Sequence, residues 1–135
     1  MSYKKKIEQV KRCPFEYGLQ VFGGKWNSRI LCLLSRDKPL RFHQIRDELG
    51  DITDAVLSGA LRELMLDQAI QREAYNEVPP RVVYRLTEKG KSILPLLQSI
   101  CRWSEQQYAM DEAVLLAPCR QCPHRLGSDR DGAGE

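Results

Sequence analysis

Long apolar runs are missing from this 135-residue chain, and none approaches the roughly 20 residues a helix needs to cross a bilayer. The opening Met1-Ser2-Tyr3-Lys4-Lys5-Lys6 carries charge with no hydrophobic stretch behind it, which argues against an export signal. Histidine is nearly absent, limited to His43 and His124. With no phosphate-cradling glycine loop and no nucleophile signature either, nothing assembles a catalytic constellation, so neither an enzyme nor a cofactor is expected. Cysteine occurs in odd number and uneven spacing, at Cys13, Cys32, Cys101, Cys119 and Cys122. That is not the paired framework of a small secreted fold, and a reducing cytoplasm is the expected setting.

What is present suits one compact unit: 42% hydrophobic and 29% charged residues can bury a real core but leave little room for a second domain. The boundaries read as a basic arm over 1–12, a folded domain over 13–108, and a tail over 109–135 that is expected to be partly disordered. The net charge of +3 conceals an asymmetry. Residues 1–46 hold 11 Lys/Arg against 3 Asp/Glu, residues 47–80 hold 2 against 8, and residues 81–135 hold 8 against 7. The basic block can supply phosphate contacts, the salt-dependent and sequence-independent part of DNA affinity. The acidic middle fits DNA less simply: its carboxylates can point inward, cap helices, or repel wrong sequences.

Periodicity and punctuation predict an order of elements. Cys13-Pro14 opens an amphipathic helix that Gly23-Gly24 ends, and a second helix runs from about Lys25 to Leu34 with Trp26, Ile30, Leu33 and Leu34 on one face. Leu40-Arg41-Phe42 is a short edge strand at most. Phe42, Ile45 and Leu49 then mark a two-turn helix closed by Gly50 at positive φ. Thr53 is placed to cap the next helix, which reaches about Asp67. There Leu57, Leu61 and Leu64 form a buried stripe, while Ala55, Ser58, Gly59 and Arg62 face the other way. A slim exposed face with a protruding arginine can lie close to another surface and donate to guanine edges or phosphate, as a major-groove reading helix must.

Ile70–Tyr75 and Arg81–Leu86 are β-rich, with Val82, Tyr84 and Leu86 alternating with Arg81, Val83 and Arg85. Asn76-Glu77-Val78-Pro79-Pro80 between them makes a stiff hairpin tip. Thr87 caps a last long helix, reaching about Tyr108, with Ile93, Leu96, Leu97, Ile100 and Trp103 apolar and Pro95 inside it. The fold class is α+β, mainly α: a winged helix-turn-helix with a long C-terminal helix that pairs two copies. Two-fold related readers match palindromic operators.

These residues resemble the HxlR-type group of bacterial winged-helix regulators, related to the MarR type. The likeness covers roughly 13–108 and rests on Cys13-Pro14, Gly24-Lys25-Trp26 with Ile30-Leu31, and Arg41-Phe42 with Ile45. It continues through Leu57 with Leu61-Arg62-Glu63-Leu64, and Val78-Pro79-Pro80-Arg81-Val82 with Tyr84, Leu86-Thr87 and Gly90. The resemblance implies a homodimeric repressor or activator of transcription on a double-stranded operator, with no membrane partner. It implies that helix 54–67 enters the major groove and hairpin 70–86 acts as a wing. At matching positions it points to Arg41, Ser58, Arg62 and Arg81 as DNA contacts and to Lys25 as a phosphate contact. Thr53 is the cap of the reading helix and a further DNA contact, and Gly59 stands where relatives carry a longer side chain. The family glycine before the first wing strand is replaced within Asp67-Gln68-Ala69-Ile70, which predicts backbone strain or an altered wing angle.

Competing readings stand beside these. Arg62 and Arg81 can be solvated charges, and the fold can serve protein contact, RNA binding or metal response instead of an operator. Cys13, after Lys11-Arg12 and at a helix start, sits where positive charge and free N–H groups favour a thiolate. In several branches of the family the cysteine here senses oxidants or electrophiles, which would make such a small molecule the effector; the plainer reading is a small buried hydrophobe. Cys119, Cys122 and His124 form Cys-x-x-Cys-x-His, which is half of a zinc site, a redox dithiol, or neither.

Overall fold

The computed structural model describes residues 13–36 and 38–111, together with Leu115 and Cys119. Among these residues five helices and a two-stranded sheet follow one another: α1 (Pro14–Phe22), α2 (Lys25–Leu34), α3 (Phe42–Leu49), α4 (Asp54–Leu66), β1 (Ile70–Tyr75), β2 (Arg81–Leu86) and α5 (Glu88–Gln107). Residues 1–12 and the Cys122 and His124 positions lie outside the described residues.

The element order and nearly all the boundaries match the sequence reading, and the reasons are local. Pro14 opens α1, where its missing N–H costs nothing. Gly50 closes α3 at φ +85°, a conformation that side chains with a Cβ resist. Thr53 Oγ1 accepts the Val56 N–H at 3.2 Å and starts α4. The short strand expected at 40–42 shrinks to Leu40 alone, which exchanges two backbone hydrogen bonds with Tyr84. Arg41 is instead the N-cap of α3, its backbone N–H donating to Gln44 Oε1 at 2.8 Å.

α2 is the centre of the core, packed against α1, α3, α4, α5 and β2. It is therefore buried on more than the one face that its periodicity suggested: Leu31 and Asn27 are buried with Ile30, Leu33 and Leu34. The Asn27 amide avoids an unpaired donor by bonding the Val21 carbonyl at 3.2 Å. Ile45 and Leu49 of α3, Leu57, Leu61 and Leu64 of α4, and Ile93 and Leu97 of α5 close around it.

β1 and β2 form an antiparallel hairpin in register Ile70↔Leu86 to Tyr75↔Arg81. The expected alternation in β2 holds only in part. Val83, on the face of Arg81 and Arg85, is also buried, whereas Val82 is half-buried. Val83 stands opposite Glu73 on a strand with neighbours at both edges, β1 on one and Leu40 on the other. The wing is anchored where Thr87 Oγ1 donates to the Gln68 carbonyl and accepts the Gly90 N–H. Gly90 packs so closely on Ala69 that a Cβ would overlap its carbonyl oxygen. Gln68, between α4 and β1, adopts φ +62°.

Candidate nucleic-acid interface

α4 presents two unlike faces. Leu57, Leu61 and Leu64 are buried against the body, while Ala55, Ser58 and Arg62 are exposed. Gly59 is half-buried beside them, and apart from its chain neighbours and its own helix backbone no atom of the described residues lies within 4 Å of where its Cβ would be. The surface is therefore narrow because its side chains are small, and the glycine is there for no internal packing need. Arg62 is exposed and makes no hydrogen bond or ion pair with the described residues.

Three of the acidic residues around α4, Asp47, Asp54 and Asp67, are paired or buried. Arg46 of α3 pairs with Asp54 at 3.1 Å and with Asp47 at 3.6 Å. Its guanidinium is held above its ordinary pKa by the Asp54 hydrogen bond first and the attraction of both carboxylates after it. Asp67 is buried at the C-terminal end of α4. Glu73 pairs with Arg85 at 3.1 Å on the wing. Of the three options left open by the sequence, Asp67 realises inward placement and Asp54 stands in the first turn of α4, while the ion pairing of Asp47 and Asp54 with Arg46 was not foreseen; Arg62 stands clear of these.

The other candidate residues fall around this helix in different states. Arg41 and Thr53 are exposed at the starts of α3 and α4, and Thr53 is also the cap. Lys25 is exposed at the first position of α2 with Nζ 4.7 Å from the Trp26 ring centroid; Arg29 lies 5.0 Å from the same ring. Arg81 is half-buried, 3.1 Å from Glu77 and stacked 4.1 Å over Tyr75, so its charge is partly engaged at the hairpin tip. Glu77 also holds the Arg81 pKa above its ordinary value.

Residue-by-residue reading missed two features. Arg46 is a tether between α3 and α4, signalled only by the distance between elements. A groove of about 460 Å³ runs between the starts of α2 and α4, walled by Leu19, Trp26 and Val56 with Lys25 and Glu63 on its polar side. Cys13 is the N-cap residue of α1, half-buried and without a disulfide. Cys119 is half-buried, while Cys122 and His124 of the same Cys-x-x-Cys-x-His group fall outside the described residues.

The model of the HxlR-like helix-turn-helix family matches residues 21–112. The chain belongs to the HxlR-like helix-turn-helix family. An uncharacterised HTH-type transcriptional regulator of Halalkalibacterium halodurans is 42% identical over 102 residues, 76% of this chain and 90% of that protein. One of Methanothermobacter thermautotrophicus is 47% identical over 93 residues, 69% and 70% of the two chains. Among solved structures, the redox regulator HypR in its oxidized form matches with TM-score 0.66 at 37% identity, over 73% of this chain and all of that one. The reduced form of the transcriptional regulator YodB from B. subtilis matches with TM-score 0.65 at 33% identity, covering 70% and 92%. The HxlR-like chain is thus a transcriptional regulator of the helix-turn-helix type and not an enzyme, and β1–β2 is its wing. No helix among its described residues is long and apolar enough to cross a membrane.

Proposed function

We propose that this regulator binds a palindromic double-stranded operator as a homodimer, reading it with α4. The observation that carries the reading is the exposed Ala55–Ser58–Arg62 surface, with half-buried Gly59 beside it, backed by a buried leucine stripe and bearing an unpaired arginine. Such a ridge fits the roughly 12 Å major groove, where an arginine donates to guanine O6 and N7. Ser58 and Thr53 contribute shorter contacts, and Lys25 and Arg41, at helix starts on either side, meet phosphates. Arg81 follows the duplex with the wing once it exchanges Glu77 for a phosphate. Fluorescence anisotropy on DNA flanking its own gene tests this. Arg62→Ala should lose about tenfold or more in affinity for the specific site, and Lys25→Met should weaken all sequences alike with a shallower salt slope. Salt-independent binding, or binding indifferent to Arg62, would leave a protein-contact module instead.

The second copy is expected on the apolar surface of the terminal helices. Phe15 and Leu19 of α1, and Leu96, Ile100 and Trp103 of α5, are exposed in the single chain, Trp103 by 62%. A long helix with three large apolar residues in water needs a partner. Ile100→Glu with Trp103→Glu should give a monomer in analytical ultracentrifugation.

Thiol sensing at Cys13 is a second reading, favoured by its place at the start of α1 beside exposed Phe15 and by the likeness to HypR and YodB. A hydroperoxide takes two electrons from the Cys13 thiolate, leaving a sulfenic acid and releasing an alcohol or water. Footprinting with and without oxidant, parent against Cys13→Ser, tests it. Protection indifferent to oxidant in the parent removes sensing and leaves operator binding standing.

A further inference from the structure

Trp26, in the first turn of α2, carries two cations on one ring: Lys25 Nζ stands 4.7 Å from its centroid and the Arg29 guanidinium carbon 5.0 Å. Neither cation has a carboxylate partner among the described residues, whereas Arg46, Arg81, Arg85 and Lys91 each have one. The ring is the anchored member of the group. Trp26 is half-buried and packs against the core, while Lys25 is exposed and Arg29 half-buried.

For the helix alone this arrangement is unfavourable. Lys25 and Arg29 are like charges one turn apart on the same face, and such pairs repel. The first turn of α2 holds no acidic residue, so Lys25 stands where the helix dipole favours a negative group. An anion from outside relieves both conflicts at once. Lys25 and Trp26 line the groove whose other wall is Val56, Gly59 and Glu63 of α4, and Glu63 pairs with neither cation. The group therefore flanks the helix that presents Arg62. For a duplex seated on α4, the anions met on that flank are backbone phosphates.

We propose that Trp26 is a positioning residue for DNA: its ring holds Lys25 and Arg29 together so that both meet the phosphate backbone beside α4, which makes Arg29 a phosphate contact in its own right. The inference rests on the operator reading of α4 and adds to it the device that orders the cations before the duplex arrives. A long cationic side chain loses rotamer freedom when it grips a phosphate, and one already lying on an aromatic ring has less to lose. The ring face attracts the charge and takes up no particular N–H, so the donors of both groups stay available to phosphate oxygens.

The full chain is titrated by anisotropy against DNA flanking its own gene and against a scrambled duplex of equal length, over a range of salt. Arg29→Met should weaken both several-fold and make the salt slope shallower by about one, whereas Arg62→Ala should weaken the specific duplex alone. The ring is tested in a Trp103→Phe background, which leaves Trp26 as the sole tryptophan. Biosynthetic replacement by trifluorinated tryptophan withdraws negative charge from the ring face at little change of shape, and affinity for both duplexes should fall about two- to fivefold. With Lys25→Met and Arg29→Met added, the same replacement should change nothing, an outcome that a merely structural tryptophan does not give. The proposal is overturned if Arg29→Met leaves the salt slope unchanged, or if fluorination costs nothing, or costs the same with and without the two cations. Loss with Arg62→Ala but not with these changes strikes this inference and leaves the reading by α4; absence of salt-dependent duplex binding strikes both.

Discussion

Arg46 of α3 reaches Asp54 at the first position of α4, with Nη1 3.1 Å from Oδ1. The contact crosses the turn of the helix-turn-helix and offsets the carboxylate standing beside the exposed face of α4. Asp54 also sits in the first turn of α4, where the helix dipole favours a negative charge. One pair thus links the two helices across the turn and offsets a negative charge there.

Arg46→Gln should weaken DNA binding several-fold at low salt, on the order of one fewer cation facing the duplex. Asp54→Asn should strengthen it by a similar factor, and the double variant should return near the parent. Anisotropy titrations over a range of salt would check this. Equal loss in both single variants would assign the pair to turn geometry alone.

Gln68 holds φ +62° between α4 and β1. A left-handed residue with a Cβ is strained by roughly 1–2 kcal/mol, and glycine returns part of that as unfolded-chain entropy. Gln68→Gly should therefore stabilise by about 0.5–1 kcal/mol, seen as a higher urea midpoint at unchanged slope.

Gly90→Ala should do the opposite. Its Cβ would overlap the Ala69 carbonyl oxygen, a backbone atom tied to Thr87. Overpacking of this kind costs roughly 1–3 kcal/mol, and amide exchange should rise first at the wing base.

Glu73 makes the wing sensitive to acid. Hydrogen bonds from Gln71 at 2.9 Å and Tyr75 at 3.0 Å, and then the Arg85 pair, hold its carboxyl below the ordinary value of 4.5. A lowered folded-state pKa means the ionised form favours the folded wing. That contribution is complete above 4.5 and fades as pH falls through the lower folded value. Wing amide exchange should accelerate over that acid range in the parent, and Glu73→Gln should flatten the dependence.

Much of α4 was legible in the sequence. Leu57, Leu61 and Leu64 recur at helical spacing, Thr53 and Gly50 are residues whose chemistry suits a cap and a positive-φ stop, and the departure within Asp67-Gln68-Ala69-Ile70 pointed to strain or an altered wing angle in that stretch without singling out Gln68. Burial of Leu31 and Val83 was not legible, because periodicity marks one face, while α2 and β2 have neighbours on several sides.

The chain's own order of side chains determined where helices start and stop, which stripe of α4 is apolar, and that a β hairpin follows, since caps, turns and spacing act within a few residues. Only the tertiary structure decided which charges are free. Whether Arg46, Arg81 or Arg62 meets a carboxylate depends on distances between separate elements, and attraction between surface charges in water is strong only at contact.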